Sequence, residues 1–161
     1  MSTRFRGLIA TFGIATVLVG GAVAGVSAQS SPPSMNAAIV QGGCDSLSDV
    51  ALHSLSAVTN NNPRVGGSFS GSANAFAVLT SVSDARIRLS DLLGSQHSIV
   101  IGDLAAPLAC GEIGGITSRI TNDFRIGIAA IGDSGVFGIA ELESDDDETE
   151  IDLYIAAPFR P

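Results

Sequence analysis

Apolar and polar residues alternate most sharply in the last third of the chain. Between Phe124 and Ile131, the residues Phe124, Ile126, Ile128 and Ala130 fall on one side of an extended segment, because strand side chains point to opposite faces with a period of two. Gly132-Asp133-Ser134-Gly135 supplies a turn, and Val136 to Leu142 reads as the returning strand. After an acidic turn from Ser144 to Thr149, the residues Ile151, Leu153 and Ile155 alternate with Asp152, Tyr154 and Ala156. This pattern predicts a three-strand antiparallel meander with one face buried.

Upstream the pattern is more broken. Met35 to Val40 reads as a first strand, whereas Leu47, Val50, Ala51, Leu55 and Val58 fit helical spacing as well as an interrupted strand. Asn60-Asn61-Asn62-Pro63 and the Gly-Ser run from Gly66 to Ser72 predict a flexible loop. Ala75 to Ser81 and Ala85 to Leu89 read as two strands, and Asp91-Leu92-Leu93-Gly94 as a short turn before the apolar run Ser98 to Ile101. Roughly seven or eight short strands at this spacing predict an all-β fold, an antiparallel Greek-key sandwich or barrel.

The amino-terminal segment differs from the rest. Arg4 and Arg6 precede an uncharged stretch of small and apolar residues from Gly7 to Val26, and Val26-Ser27-Ala28 has small residues where a signal peptidase cuts. Residues 1–28 are therefore read as a signal peptide, in preference to a retained membrane anchor of similar length. Residues 29–34 then form a flexible leader, and 35–161 a single β-sandwich domain in a secreted or extracytoplasmic setting. Arg4 and Arg6 account for two of eight basic residues, against sixteen acidic ones, so the exported part carries about minus ten charges. Such a surface repels phosphate backbones and anionic bilayers, which argues against nucleic-acid binding and, after signal cleavage, against membrane binding. Cys44 and Cys110, an even pair in an exported chain, are expected to form a disulfide.

Candidate chemistry is sparse. His53 and His97 are the only histidines and have no local cluster of ligand-type residues, too few to build an imidazole metal site or a well-supported triad. No GxSxG elbow is present, and Gly66, Gly67 and Gly71 do not make a dinucleotide fingerprint. Asp145-Asp146-Asp147-Glu148, with Glu150 and Asp152 beyond, is the most acidic feature. It lacks the EF-hand alternation and reads as a solvated hairpin tip, with Asp145, Asp146, Asp147 and Glu148 as a weak cation site at most. No catalytic residue, metal ligand or cofactor is assigned, and the expected partner is an unspecified protein or surface.

His97-Ser98-Ile99-Val100-Ile101-Gly102-Asp103-Leu104 and Leu108-Ala109-Cys110-Gly111-Glu112-Ile113-Gly114 together resemble a segment of the copper/zinc superoxide dismutases. In that family an apolar strand ends in a copper-binding His, and a Leu-Ala-Cys-Gly-x-Ile-Gly strand supplies one disulfide Cys. Gly43-Cys44 resembles the partner Cys. Related secreted bacterial and chordin-type domains share this layout, often with a His-x-His pair before the first Cys. The resemblance implies a Greek-key sandwich, and the length of chain after Cys110 leaves room for a permuted strand order. The ligands depart from the pattern: Gly102 stands at the strand-end His, and Ala38-Ile39-Val40 occupies the place of the His-x-His pair. The resemblance thus implies a non-catalytic relative with a structural or interaction role. The alternative is a metal-binding or dismutase-type protein using other ligands.

Overall fold

The structure, a computed structural model, describes residues 34–60, 72, 74–115 and 123–158. The signal segment 1–28, most of the leader and most of the Asn-Pro and Gly-Ser loop lie outside the described residues. The strands are β1 (Ser34–Gln41), β2 (Ala51–Thr59), β3 (Phe76–Ala85), β4 (His97–Asp103), β5 (Ala106–Glu112), β6 (Phe124–Ala130), β7 (Phe137–Asp145) and β8 (Glu148–Pro158). One short helix, α1 (Leu89–Gly94), links β3 to β4. All pairings are antiparallel, and the order β1-β2-β3-β8-β7-β6-β5-β4 closes on itself as an eight-stranded barrel.

Pairing around the barrel is uneven. β3 and β8 are in register from Phe76↔Pro158 to Ala85↔Thr149, and the meander β6-β7-β8 is as continuous as its alternation predicts. By contrast, β2 meets β3 only at Thr59↔Thr80, and β5 meets β6 only at Ala109↔Ala130 and Cys110↔Ala129. These two thin seams divide the barrel into a β2-β1-β4-β5 half and a β3-β8-β7-β6 half.

The core is the period-two pattern turned inward. Ile151, Leu153 and Ile155 of β8 pack with Phe124, Ile126 and Ile128 of β6 and with Ile99 and Ile101 of β4. Each fully buried aliphatic or aromatic side chain contributes about 1.5 to 3 kcal/mol of transfer free energy. On β4 the outward residues Ser98 and Val100 are buried as well. Val100 joins Val40 and Cys110 in a second cluster on the outside of the barrel, with Cys44 and Leu47 packed against it. The 42–50 connection therefore lies over the outer face of β1, β4 and β5.

Several local expectations are corrected. The strand expected at Ala75–Ser81 continues to Ala85 as β3, with Ser81, Ser83 and Ala85 facing inward opposite Leu153, Ile151 and Thr149, and the strand expected at Ala85–Leu89 is absent, since Arg86 to Arg88 leave the sheet and Leu89 opens α1. Polar serines on the buried face hid that alternation. Asp91–Gly94, expected as a turn, belongs to α1, whose Leu89 and Leu92 enter the core. The acidic turn is tighter than expected, since Asp145 pairs with Glu148 and only Asp146 and Asp147 form the tip. The ambiguous stretch Leu47 to Val58 resolves into loop followed by β2, and the buried stripe of β6 stops at Ile128, leaving Ala130 exposed.

Candidate functional site

The positions that the sequence marked out fall in three places. The first is the outer face of β1 and β4. A shallow depression of about 280 Å³ is lined there by Asn36, Ala38, Ser54, Gly102, Asp103 and Leu104. Ala38 and Gly102 thus share one depression, and Val40, the third position that the resemblance sets against a histidine, is buried in the neighbouring outer cluster. Gly102 has φ +103° at an irregularity in the β4–β5 ladder, and a β-carbon there would approach the Leu108 side chain to 3.0 Å. A side chain at 102 would be strained on this backbone. The polar groups at this rim bond each other: Asn36 Nδ2 donates to Asp103 Oδ1 at 2.7 Å.

Beside this depression the connection after β1 is clamped. Cys44 and Cys110 form a disulfide with a Cα–Cα distance of 5.8 Å. The Cys44 backbone N–H donates to Glu112 Oε1, Ser98 Oγ donates to the Gly42 carbonyl at 2.8 Å, and the Gly42 N–H donates to the Gln96 carbonyl. Gly42 sits at φ +102° with the Ser46 carbonyl where a β-carbon would be, so the loop can close this tightly only with glycine.

The second place holds the histidines, which do not meet. His97 is buried, and its Nδ1 lies 3.0 Å from the Leu92 carbonyl and 3.1 Å from that of Ser95. With acceptors only on that nitrogen, Nδ1 carries the proton and His97 ties down the end of α1. His53, read as a surface residue, is half-buried on β2 opposite Ile39 of β1.

The third place is the outside of β3-β8-β7-β6, where cross-strand neighbours share a face. Asp145, Asp146, Asp147 and Glu148 sit at the β7–β8 tip, with Asp146 at φ +46° and Glu148 3.6 Å from Arg86. The carboxylates that converge are different ones. Asp123, Glu141 and Glu143 each place an oxygen within 4.8 Å of the others, the one such group among the described residues. Register brings them together: Glu141 lies between Arg125 and Asp152, and Glu143 between the start of β6 and Glu150. Repulsion from Asp123 raises the Glu143 carboxyl above its ordinary pKa. Arg125 is engaged by Glu141, whose hydrogen bond raises the guanidinium pKa further.

The same face bears exposed apolar side chains that sequence reasoning missed. Phe76, Val78 and Val82 of β3, Phe137 and Ile139 of β7 and Tyr154 of β8 are each 44–61% exposed. Phe76 and Phe137 meet edge to face with ring centroids 5.3 Å apart. The available signal was the strictly alternating β8 sequence, whose outward set changes from acidic to apolar at Tyr154. Comparison of the chain with protein-family models, with curated proteins and with solved structures finds no match.

Proposed function

We propose that this chain is an exported, non-catalytic β-barrel with a structural or interaction role, a degenerate relative of the superoxide dismutase-like domains. The observation that carries the reading is the depression beside β4. The positions that would hold copper are Ala38, Val40 and Gly102, and a side chain at 102 is opposed by its backbone conformation and by Leu108. Copper redox chemistry needs several nitrogen ligands held in fixed orientation. His97 is committed to α1, and His53 lies on another strand, paired with Ile39. The disulfide that the resemblance implies supports the same descent and an oxidising compartment. The outward charged residues and inward apolar ones follow the arrangement of a water-exposed barrel, the reverse of a membrane barrel.

A metal-binding reading has one observation in its favour, the convergence of Asp123, Glu141 and Glu143. Three carboxylates without an imidazole suit a hard divalent cation rather than copper. The test is superoxide consumption by the purified exported chain, stripped with a chelator and then given one equivalent each of copper and zinc. The expected rate equals that of the buffer with the same metals. Metal-dependent consumption, lost on chelation and regained on re-addition, would overturn the proposal in favour of a dismutase with other ligands.

A further inference from the structure

We infer that the outer face of β3-β8-β7-β6 is a docking surface for an extended polypeptide segment of a partner protein, with an apolar block followed by a basic one. This deepens the interaction reading above and rests on it. The register orders the face into rows. Phe76 with Pro158, then Val78-Ala156-Phe137, then Thr80-Tyr154-Ile139 make the apolar half. Val82-Asp152-Glu141-Arg125, then Asp84-Glu150-Glu143, then Glu148-Asp145 make the acidic half, with Asp123 adjoining Glu143. The two halves abut along the strand direction.

Charge and area choose the occupant. The acidic half carries eight carboxylates against Arg125, already bound to Glu141, and Arg86, beside Glu148. Asp152 keeps one buried carboxylate oxygen with no hydrogen-bond partner, and Glu143 is held near other carboxylates at an electrostatic cost. Such a strip attracts cations and repels an anionic bilayer. A second copy of this chain could cover only the apolar half without setting acid on acid. At strand spacings of about 4.8 Å and row spacings of about 6.7 Å, that half offers roughly 300 to 400 Å². A stable dimer needs about 800 Å² from each partner. The whole face approaches that area, but using it requires basic residues opposite the acidic rows. An extended segment laid along the strands repeats its own side chains at the same spacing of about 6.7 Å, so alternate residues match successive rows.

The test uses a defined probe: a capped synthetic peptide of about 12 residues, long enough for the six rows, with Leu alternating with Ser in its first half and Arg alternating with Ser in its second. Titrated into the isotopically labelled exported chain, it should shift backbone amides of β3, β7 and β8. Affinity should fall about tenfold when ionic strength rises from about 0.05 to about 0.5 M. Glu143→Gln with Asp152→Asn, and separately Val78→Ser with Ile139→Ser, should each weaken binding about tenfold. All four side chains point outward, and if either double variant melts early, the amide mapping and salt dependence on the unaltered chain decide. Equal binding by a peptide with Glu in place of Arg, or shifts confined to another face, would overturn the inference. So would no shift at all, or self-association of the chain abolished by Ile139→Ser, which would assign the face to a second copy. Superoxide consumption would sink the parent reading instead, so the two failures are distinguishable.

Discussion

Gly138 lies on the inner side of β7, paired with Ile128 of β6 and with Ile155 of β8. A β-carbon there would overlap the Tyr154 carbonyl oxygen, so glycine lets two isoleucines fill one layer of the core. Gly138→Ala should lower unfolding free energy by about 3 kcal/mol through overpacking, read as a lower denaturant midpoint at unchanged slope. Gly127 has open space at the same position of a β-carbon, and Gly127→Ala should stay within about 1 kcal/mol of the parent. A large loss at 127, or none at 138, would contradict the packing described. At this scale what is legible in the sequence is its histidine count: the chain has two, far apart along the chain, and that number limits the imidazole-based chemistry it can hold. The buried role of His97 was not legible, because it depends on the Leu92 and Ser95 carbonyls presented by a helix too short to show periodicity.

Among the elements, the connection after β1 and the acidic rows of β7 and β8 behave oppositely. The first is held by a disulfide whose half-cystines are 66 residues apart. The chain-entropy model assigns such a link about 4 kcal/mol, and Cys110→Ala should cost about 2 to 5 kcal/mol in a chemical denaturation series. The second is held against repulsion. Because the Glu143 carboxyl titrates above its ordinary value of 4.5, the folded chain binds that proton more tightly than the unfolded one. The associated destabilisation is absent below the ordinary value and complete above the raised one. Glu143→Gln should therefore raise the melting temperature at neutral pH, and the gain should vanish as pH falls below the ordinary glutamate range; a gain independent of pH would point elsewhere. Strands β1, β4, β6, β7 and β8 were legible from alternation or from short apolar runs. β3 was not recognisable as one strand, since Ser81 and Ser83 occupy its inward positions, and Ser83 Oγ is used to accept the Ser56 N–H across the β2–β3 seam.

Across the whole molecule, antiparallel all-β architecture followed from the strand count and turns, which left sandwich and barrel both open. Closure rests on β1 pairing with β4 and on two short seams, contacts between segments that no local pattern connects. The candidate surface was hidden for the same reason: Phe76, Phe137 and Tyr154 become neighbours only through register. The acidic tip at Asp145–Glu148 stands out in the sequence because it is contiguous, whereas Asp123, Glu141 and Glu143 converge from one strand, β7, and the approach to another, β6. Ala38 and Gly102, far apart in the sequence, line one depression, a juxtaposition that again comes only from pairing.

Metal stoichiometry tests the proposed absence of a copper site most directly. The chain from residue 29 onward, purified, dialysed against a chelator, loaded with one equivalent of copper or zinc and dialysed again into plain buffer, should retain well under one ion per chain by elemental analysis. A tightly held copper or zinc in one-to-one ratio, surviving the second dialysis, would contradict the proposal and show that the chain builds a metal site from other ligands.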